Sequence, residues 1–292
     1  MESTHKEIKR LRMGIPKGRM EGAVLKLLED SGIRVTPTAR GYRPEISLPH
    51  AEAKLLKPQN IVEMLTVGSR DVGFTGADWA AELDGALVEV LDTGLDPVEV
   101  VVSASKELLC DGNLPARPLL VASEYESLAR RWIAARGIDA RFVRSYGATE
   151  VFPPEDADVI IDNRATGATL KANGLVVIDT IMGSSTRLYA SPLVWRDPEL
   201  RQRIELLRVL LTSVLEGRRR VMVEVNAPRE CLAAVVGALP CMRQPTVASL
   251  YGEPGFAVRA AVPREALTAV IPAVKNAGAT DIVVSELCQI VP

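Results

Sequence analysis

Histidine and cysteine are scarce in this chain. Only His5 and His50 occur among 292 residues, which excludes a His-based catalytic triad or a His-rich metal site as the organising chemistry. The four cysteines, Cys110, Cys231, Cys241 and Cys288, are scattered without C-x-x-C spacing. They read as reduced thiols used as core filler, which argues against structural zinc and for a cytoplasmic location. Excess charge of either sign is also missing. Lys plus Arg total 35 against 37 Asp plus Glu, for a net charge of −2. A general polyanion binder needs a basic surplus, so nucleic acid is not an expected partner and any phosphate site must be local. No apolar run approaches the roughly 18 residues that span a bilayer, so no membrane association is expected. The N-terminal Met-Glu-Ser-Thr-His-Lys-Glu has no hydrophobic core of a signal peptide.

What the chain does have is 47% hydrophobic residues, arranged as short β-rich runs alternating with helical periodicity. That order predicts an α/β fold with a largely parallel sheet, and the length suggests about two domains, with three small ones an option. Strands are expected at Leu11–Pro16, Asp71–Phe74, Leu119–Val121, Arg141–Val143 and Val159–Ile161. Helices are expected at Gly22–Asp30, Asn60–Val67 and Glu126–Ala135, stopped by Gly32, Gly68 and Gly137. This fits two α/β lobes around a cleft. Val98–Ser103 and Leu188–Val194 are strand-like and suit segments crossing between the lobes. Asp197–Glu216 reads as a long helix with Leu200, Ile204, Leu207, Leu211 and Leu215 on one face. It is ended by Gly217-Arg-Arg-Arg220, which is either a solvated helix end or an effector contact. Beyond this boundary the strands Val221–Val225, Thr246–Tyr251, Phe256–Val262 and Asp281–Leu287 and the helices Arg229–Leu239 and Pro263–Ala277 give the order βαββαβ, a ferredoxin-like unit without a catalytic constellation.

The most informative stretch is Asp158-Val-Ile-Ile-Asp162-Asn-Arg-Ala-Thr166-Gly167-Ala168-Thr169-Leu170-Lys-Ala-Asn-Gly174. An apolar strand enters a loop of small and hydroxyl residues where a helix begins. Gly167 lets backbone come close to a ligand. The unpaired N–H groups of the loop and first helical turn, with the hydroxyls of Thr166 and Thr169, suit a phosphate. Asp162 is placed to accept hydrogen bonds from ribose hydroxyls. Thr-Gly-x-Thr alone also fits an ordinary capped strand-to-helix connection; the carboxylate at the strand end and the Ala-Asn-Gly-Leu that follows favour the ligand loop.

Thr166–Leu175, with Asp162 four residues upstream, resembles the phosphoribosyl-pyrophosphate loop of the ATP phosphoribosyltransferase family, the first enzyme of histidine biosynthesis. Further stretches resemble the family in the same order: Ile15-Pro-Lys-Gly-Arg-Met20, Asp71-Val-Gly-Phe-Thr-Gly-Ala-Asp78, Val121-Ala-Ser-Glu-Tyr125 and Tyr146-Gly-Ala-Thr-Glu150. Gln244-Pro-Thr-Val-Ala-Ser-Leu250 resembles the regulatory domain of the long form. The resemblance implies a two-lobed, periplasmic-binding-protein-like catalytic unit with two crossing segments. Residues 12–104 and 186–217 would form lobe I and 105–185 lobe II, after a tail at 1–11, with a C-terminal regulatory domain at 218–292. It implies transfer of the phosphoribosyl group to N1 of ATP with release of pyrophosphate, Mg2+ carried on the pyrophosphate rather than by side chains, feedback inhibition by L-histidine, and a homo-oligomer between dimer and hexamer.

Carried onto this sequence, Asp162, Ala165, Thr166, Gly167, Ala168, Thr169 and Leu170 would hold phosphoribosyl pyrophosphate. Lys17, Gly18, Arg19, Asp71, Gly76, Tyr125 and Glu150 would meet ATP or pyrophosphate. Asn226, Thr246 and Ser285 would meet histidine. Several of these keep a second reading. Lys17 and Arg19 also fit a surface pair at a strand end, Asp78 a helix cap before Trp79, Glu150 a capping box, and Tyr125 a buried structural tyrosine rather than an adenine stack. The chain departs from the family at Asn163-Arg164-Ala165. Ala165 removes a polar group from beside the ribose, Asn163 on the same strand face is placed to supply one, and Arg164 adds a charge that would point to the neighbouring lobe or subunit. Asn226 stands where long-form relatives carry Asp. Alternatives to the enzyme are a two-lobed anion-binding module and a non-catalytic regulatory relative; pyrophosphate release separates them.

Overall fold

The computed structural model of the protein describes residues 8–39, 41–252 and 254–291; His5 and most of the N-terminal tail lie outside the described residues. Two compact units are present, Met1–Glu29 with Ile33–Leu206, and Asp30–Gly32 with Leu207–Pro292.

The first unit is organised by one eight-stranded sheet. Its elements run β1 (Leu11–Pro16), α1 (Glu21–Asp30), β2 (Val35–Thr36), β3 (Glu45–Ile46), β4 (Ala51–Leu56), α2 (Pro58–Thr66), β5 (Val72–Gly76), α3 (Ala77–Glu82) and β6 (Val88–Ser105), then β7 (Leu119–Ser123), α4 (Glu126–Arg136), β8 (Ala140–Arg144), β9 (Val159–Arg164), α5 (Ala168–Ala172), β10 (Leu175–Ala190) and α6 (Pro192–Trp195). The strand order is β4-β1-β5-β10-β6-β9-β7-β8. β4, β1 and β5 are mutually parallel, as are β9, β7 and β8. Between these two parallel groups lie β6 and β10, antiparallel to each other and to the strand beyond each. They are the two crossing segments, and each serves both lobes. The parallel strands are covered on both faces: Leu11, Met13 and Ile15 of β1 and Val159, Ile160 and Ile161 of β9 are fully buried, the pattern of strands that read as apolar runs rather than alternations.

α7 (Pro198–Arg219) leads into the second unit, which contains β11 (Arg220–Pro228), α8 (Leu232–Gly237), β12 (Thr246–Ser249), β13 (Gly255–Pro263), α9 (Leu267–Asn276) and β14 (Thr280–Glu286). Its sheet order is β12-β13-β11-β14, with every pair antiparallel. This is the ferredoxin-like arrangement expected. β11 alternates strictly: Val221, Val223, Val225 and Ala227 turn into a core completed by Val235 of α8 and Val270 and Val274 of α9.

Several expected boundaries move. The crossing strand read at Val98–Ser103 extends back to Val88 through Asp92, Gly94, Asp96 and Pro97, residues that normally end strands. The pairing with β10 tolerates them through repeated register shifts, and Asp96 and Gly94 take positive φ. The second crossing strand stops at Ala190, because Pro192 opens a helical turn where strand had been expected through Val194. Arg229–Leu239 narrows to α8. The helix expected from Pro263 begins as a tight turn at Arg264–Ala266 and continues through Pro272. The arginine run does not end α7 as free charge: Arg218 pairs with Asp30 at 2.8 Å and Arg219 with Glu216 at 3.1 Å.

Asp71 proves to be structural. It precedes β5, beside Arg12 at the start of β1, and its side chain is 1% exposed. The Arg12 backbone N–H donates to Oδ2 at 2.7 Å, and the guanidinium reaches Oδ1 at 2.5 Å. This carboxylate is therefore occupied at the amino edge of the sheet, and its expected contact with ATP or pyrophosphate is corrected. Removing one partner of a buried pair strands the other charge. Because Arg12 is itself partly solvated, Arg12→Met is expected to cost about 2–3 kcal/mol of unfolding free energy, with Michaelis constants unchanged. Urea denaturation and steady-state kinetics check this together; a shift in the Michaelis constant at full stability would return Asp71 to the site.

Candidate active site

Most of the residues expected to meet a ligand lie at the carboxyl ends of the parallel strands, where α/β sheets bind ligands. Past β1, Lys17 stands with its ammonium 4.1 Å from the centre of the Tyr42 ring, Gly18 takes φ 84°, and Arg19 donates to the Asp96 carbonyl at 3.3 Å. Past β5, Gly76 caps α3. A Cβ on Gly76 would lie 2.1 Å from Asp78 Oδ1, so glycine is required there by a neighbouring carboxylate.

Across from these, β9 delivers Asp162, and the chain bends at Ala165 and Thr166 into Gly167, whose φ of 77° favours glycine. Arg164 also crowds Gly167, with Cδ 3.1 Å from where a Cβ would stand. α5 then starts at Ala168. Thr166 Oγ1 reaches the Ala168 N–H at only 3.4 Å, and Thr166, Ala168 and Thr169 are exposed. Leu170 turns inward onto Val101, Ala122, Ile160 and Leu175; its side chain anchors the short helix, leaving only its backbone for a ligand. Arg164 pairs with Glu99 of the adjacent strand β6, so its expected reach to another lobe or subunit is corrected.

Asp162 is the electrostatically unusual group. Burial pushes its carboxyl up to about 6, and the charges of Glu124 and Glu150 push the same way, while the Asn163 N–H and the Thr149 hydroxyl pull it down. Glu150 thus belongs to the electrostatic surroundings of Asp162. Among the described residues, no cluster of three His, Cys, Asp or Glu side chains forms a metal cage.

Tyr125 is not available for stacking on a base. It is fully buried, its ring lies 4.7 Å from that of Trp79, and its hydroxyl donates to Asp78 Oδ2 at 2.6 Å. Burial and then the charge of Asp78 raise its phenol pKa, so it stays a donor. Asp78 does not cap α3 either. Its Oδ1 accepts from Ser184 Oγ at 2.7 Å. Glu82, one turn on, accepts from the backbone N–H groups of Ser127 and Leu128 at 2.9 and 3.0 Å, and so caps the amino end of α4. α3 therefore leaves β5 and holds the opposite lobe through two buried carboxylates.

Beside this contact is a cavity of about 370 Å3 lined by Lys57, Gln59, Asn60, Trp79, Glu82, Glu124 and Arg144, among others. Gln59 Oε1 is buried there without a hydrogen-bond partner. Sequence reasoning missed Lys57, Gln59, Trp79, Glu82 and Arg144. Their one available signal is position: Lys57 immediately follows β4, Arg144 ends β8, and Trp79 and Glu82 follow β5.

The residues expected to meet histidine are less compact. Asn226 of β11 donates to Asp281 Oδ2 at 3.0 Å. Thr246 lies on edge strand β12 and Ser285 on the opposite edge strand β14. All three are on the sheet face away from the helices, but three strand spacings separate Thr246 from Ser285, about 14 Å. One chain does not bring them together.

Two lobes flank a polar cavity, with a loop of exposed amides and hydroxyls and a partly buried carboxylate at the end of β9, an arrangement suited to a small phosphorylated ligand. Residues 57–213 match the family described as ATP phosphoribosyltransferase, and residues 217–289 match that family's C-terminal domain. The ATP phosphoribosyltransferase of Pelotomaculum thermopropionicum is 33% identical over 288 residues, covering 97% of this chain and all of the relative. That of Pelodictyon phaeoclathratiforme is 33% identical over 277 residues, covering 93% and 94%. A chain of the ATP phosphoribosyl transferase complex from Thermotoga maritima superposes with a TM-score of 0.63 at 24% identity, covering 70% of this chain and 98% of that one, a likeness of fold. The protein belongs to the ATP phosphoribosyltransferase family, in its long form, and is a pentosyltransferase. The family's reaction takes a divalent cation.

A carboxyl group whose pKa is raised by folding favours the fold while protonated, and that contribution is lost as pH rises through the folded value. For Asp162 the window runs from its ordinary 3.8 up to about 6. Asp162→Asn, which cannot ionise, is expected to match the parent near pH 4 and to exceed it at pH 7 by about 2 kcal/mol. Denaturant unfolding of the ligand-free protein across this range measures the gap; a gap that does not grow with pH removes the assigned environment.

Proposed function

We propose that the family's reaction, displacement of pyrophosphate from C1 of phosphoribosyl pyrophosphate by N1 of ATP to give phosphoribosyl-ATP, runs between the carboxyl edges of the two lobes. The observation that carries this is the convergence of the 165–170 loop, Asp162 and the Lys57–Trp79–Arg144 cavity at those edges. The backbone and hydroxyls of Thr166–Thr169 hold the 5′-phosphate, and Asp162 accepts from the ribose hydroxyls. Lys17 and Arg19 serve the pyrophosphate or triphosphate. ATP takes the cavity, which offers the Trp79 ring, the Gln59 amide and two cations. No nucleophile–base set is required. The C1–O bond breaks as the C1–N1 bond forms, the electron pair leaves with pyrophosphate, and the protein positions the reactants and stabilises charge.

The divalent cation is magnesium, carried by the pyrophosphate and water. The residues present fit this: Asp162 is buried with its carboxyl pushed up, and the charges of Glu124 and Glu150 push the same way, a cost to Asp162 that a cation would relieve. When bound, the cation neutralises the leaving group. Gly167→Val forces a branched side chain into a left-handed backbone position and toward Arg164, whereas Thr169→Ala removes one hydroxyl. Pyrophosphate release in the presence of ATP, phosphoribosyl pyrophosphate and magnesium is expected from the parent. A loss well beyond tenfold is expected for the first variant and about tenfold for the second, the value of one hydrogen bond to a charged group. Equal small effects remove the loop from the phosphate, and no turnover by folded parent leaves only an anion-binding role.

The C-terminal unit mediates inhibition by L-histidine. In support, the uncharged Asn226 is joined to a carboxylate, Asp281, which its hydrogen bond and that of Thr280 hold in the ionised form. Because Thr246 and Ser285 lie on opposite sheet edges, one histidine meets both only if a second copy of the domain completes the site. This agrees with a cytoplasmic homo-oligomer between dimer and hexamer, as do the exposed Leu206, Val209 and Leu210 on α7. Asp281→Ala is expected to raise the histidine concentration for half-inhibition more than tenfold without changing uninhibited turnover; unchanged inhibition excludes Asp281 from the effector site.

A further inference from the structure

We infer that Asn163 is a positioning residue that ties the ribose-facing carboxylate of Asp162 to the contact between the lobes. Its side-chain Nδ2 donates in two directions, to Asp162 Oδ1 at 3.3 Å and to the Tyr125 hydroxyl at 3.1 Å. Its backbone N–H donates to the same Asp162 oxygen at 2.7 Å. From Tyr125 the connection continues to Asp78 Oδ2, and from Asp78 Oδ1 to Ser184 on β10. Five groups thus form one chain running from the crossing strand, through α3 and the opposite lobe, to the sugar loop.

The directions of these bonds are forced. Asp78 accepts, so the single proton of the Tyr125 hydroxyl is used there, and that oxygen can only accept from Asn163. An ionised Asp162 also only accepts. The side chain between them must therefore present two N–H donors, which fixes the orientation of the Asn163 amide. An apolar residue would leave the Tyr125 oxygen, buried with its ring, one donor short, and Asp162 as well. Aspartate would put a charge beside one already crowded by Glu124 and Glu150. At this length, asparagine alone among the side chains satisfies both neighbours. One amide thereby couples the lobe contact to the rotamer of the ribose-binding carboxylate.

This inference rests on the assignment of Asp162 to the ribose, and the experiment separates the two. Asp162→Ala is measured first: an unchanged Michaelis constant for phosphoribosyl pyrophosphate removes that assignment whatever Asn163 does. With that loss established, Asn163→Leu, of similar volume and without donors, is expected to raise the same constant about five- to tenfold, the size of one or two lost hydrogen bonds. The constant for ATP should change less than twofold. Tyr125→Phe cuts the same chain one link away, so the double variant should lose no more than the larger single loss; multiplying losses would mean two independent effects and overturn the proposal. Should Tyr125→Phe not fold, the pH profile of phosphoribosyl pyrophosphate binding to Asn163→Leu decides. The groups facing Asp162 besides Asn163 are Glu124, Glu150, the Thr149 hydroxyl and the Tyr125 phenol, all unaltered in that variant. Loss of the amide donor should move the acidic midpoint upward. A merely structural role would lower the melting temperature and leave the midpoint in place, and that result would overturn the proposal.

Discussion

The buried carboxylate of Asp78 is the interaction on which the site depends. It sits on a short helix that leaves one lobe, and it accepts one hydrogen bond from the crossing strand and one from a tyrosine of the opposite lobe. Buried polar groups are costly unless satisfied, so all three partners are constrained together. Gly76 follows from this, because a side chain there would meet the carboxylate. So do the burial of Tyr125 and the stacking of Trp79 against it. Glu82 repeats the device one turn later by capping α4. The relation between the lobes is thus fixed by a few directional contacts laid over the apolar packing of Trp79 and Ala81 against the second lobe's core.

Such a frame lets the end of β9 and the loop after it carry an unfavourable arrangement. Asp162 is half-buried near two other acids, and its ionisation at neutral pH works against the ligand-free fold. The same features make it a strong acceptor for hydroxyl groups and a poor place for an unaccompanied anion. Local cost at a binding site offset by stability elsewhere is expected of functional positions. Here the offset is identifiable: Leu170 anchors α5 in the core, and Arg164 is neutralised by Glu99.

Much of the architecture was legible in the sequence, and the failures are physically specific. Leu11–Pro16 reads as a buried strand and is one. Gly137, at φ 63°, ends α4 where the sequence places a stop. The βαββαβ order of the second unit follows from its periodicity. β4 escaped because Ala-Glu-Ala-Lys-Leu-Leu has a helical composition; pairing along the whole of β1 overrides that propensity. The aspartates of the segment 71–78 were told apart wrongly for a different reason. Residues at the two ends of one strand look alike in sequence, but one end meets Arg12 and the other meets the opposite lobe. Tyr125 had two readings, and only the position of Asp78 decides between them. The Lys57–Arg144 cavity had no motif at all, since its lining comes from the ends of separate strands.

The two asparagines expected to depart from the family pattern have a common structural logic. At residue 163 the amide is accommodated because Tyr125 needs a donor and Asp162 accepts one. At residue 226 the amide donates to Asp281, whose positive φ of 48° lies at a register shift between β11 and β14. In both cases the amide is hydrogen-bonded to a neighbouring polar group, so reading either residue alone as a loss is misleading. A binding site constrains where donors and charges stand in space more tightly than which residue bears them. A departure at a site residue therefore has meaning only together with the side chains that it touches: Tyr125 for Asn163, and Asp281 for Asn226.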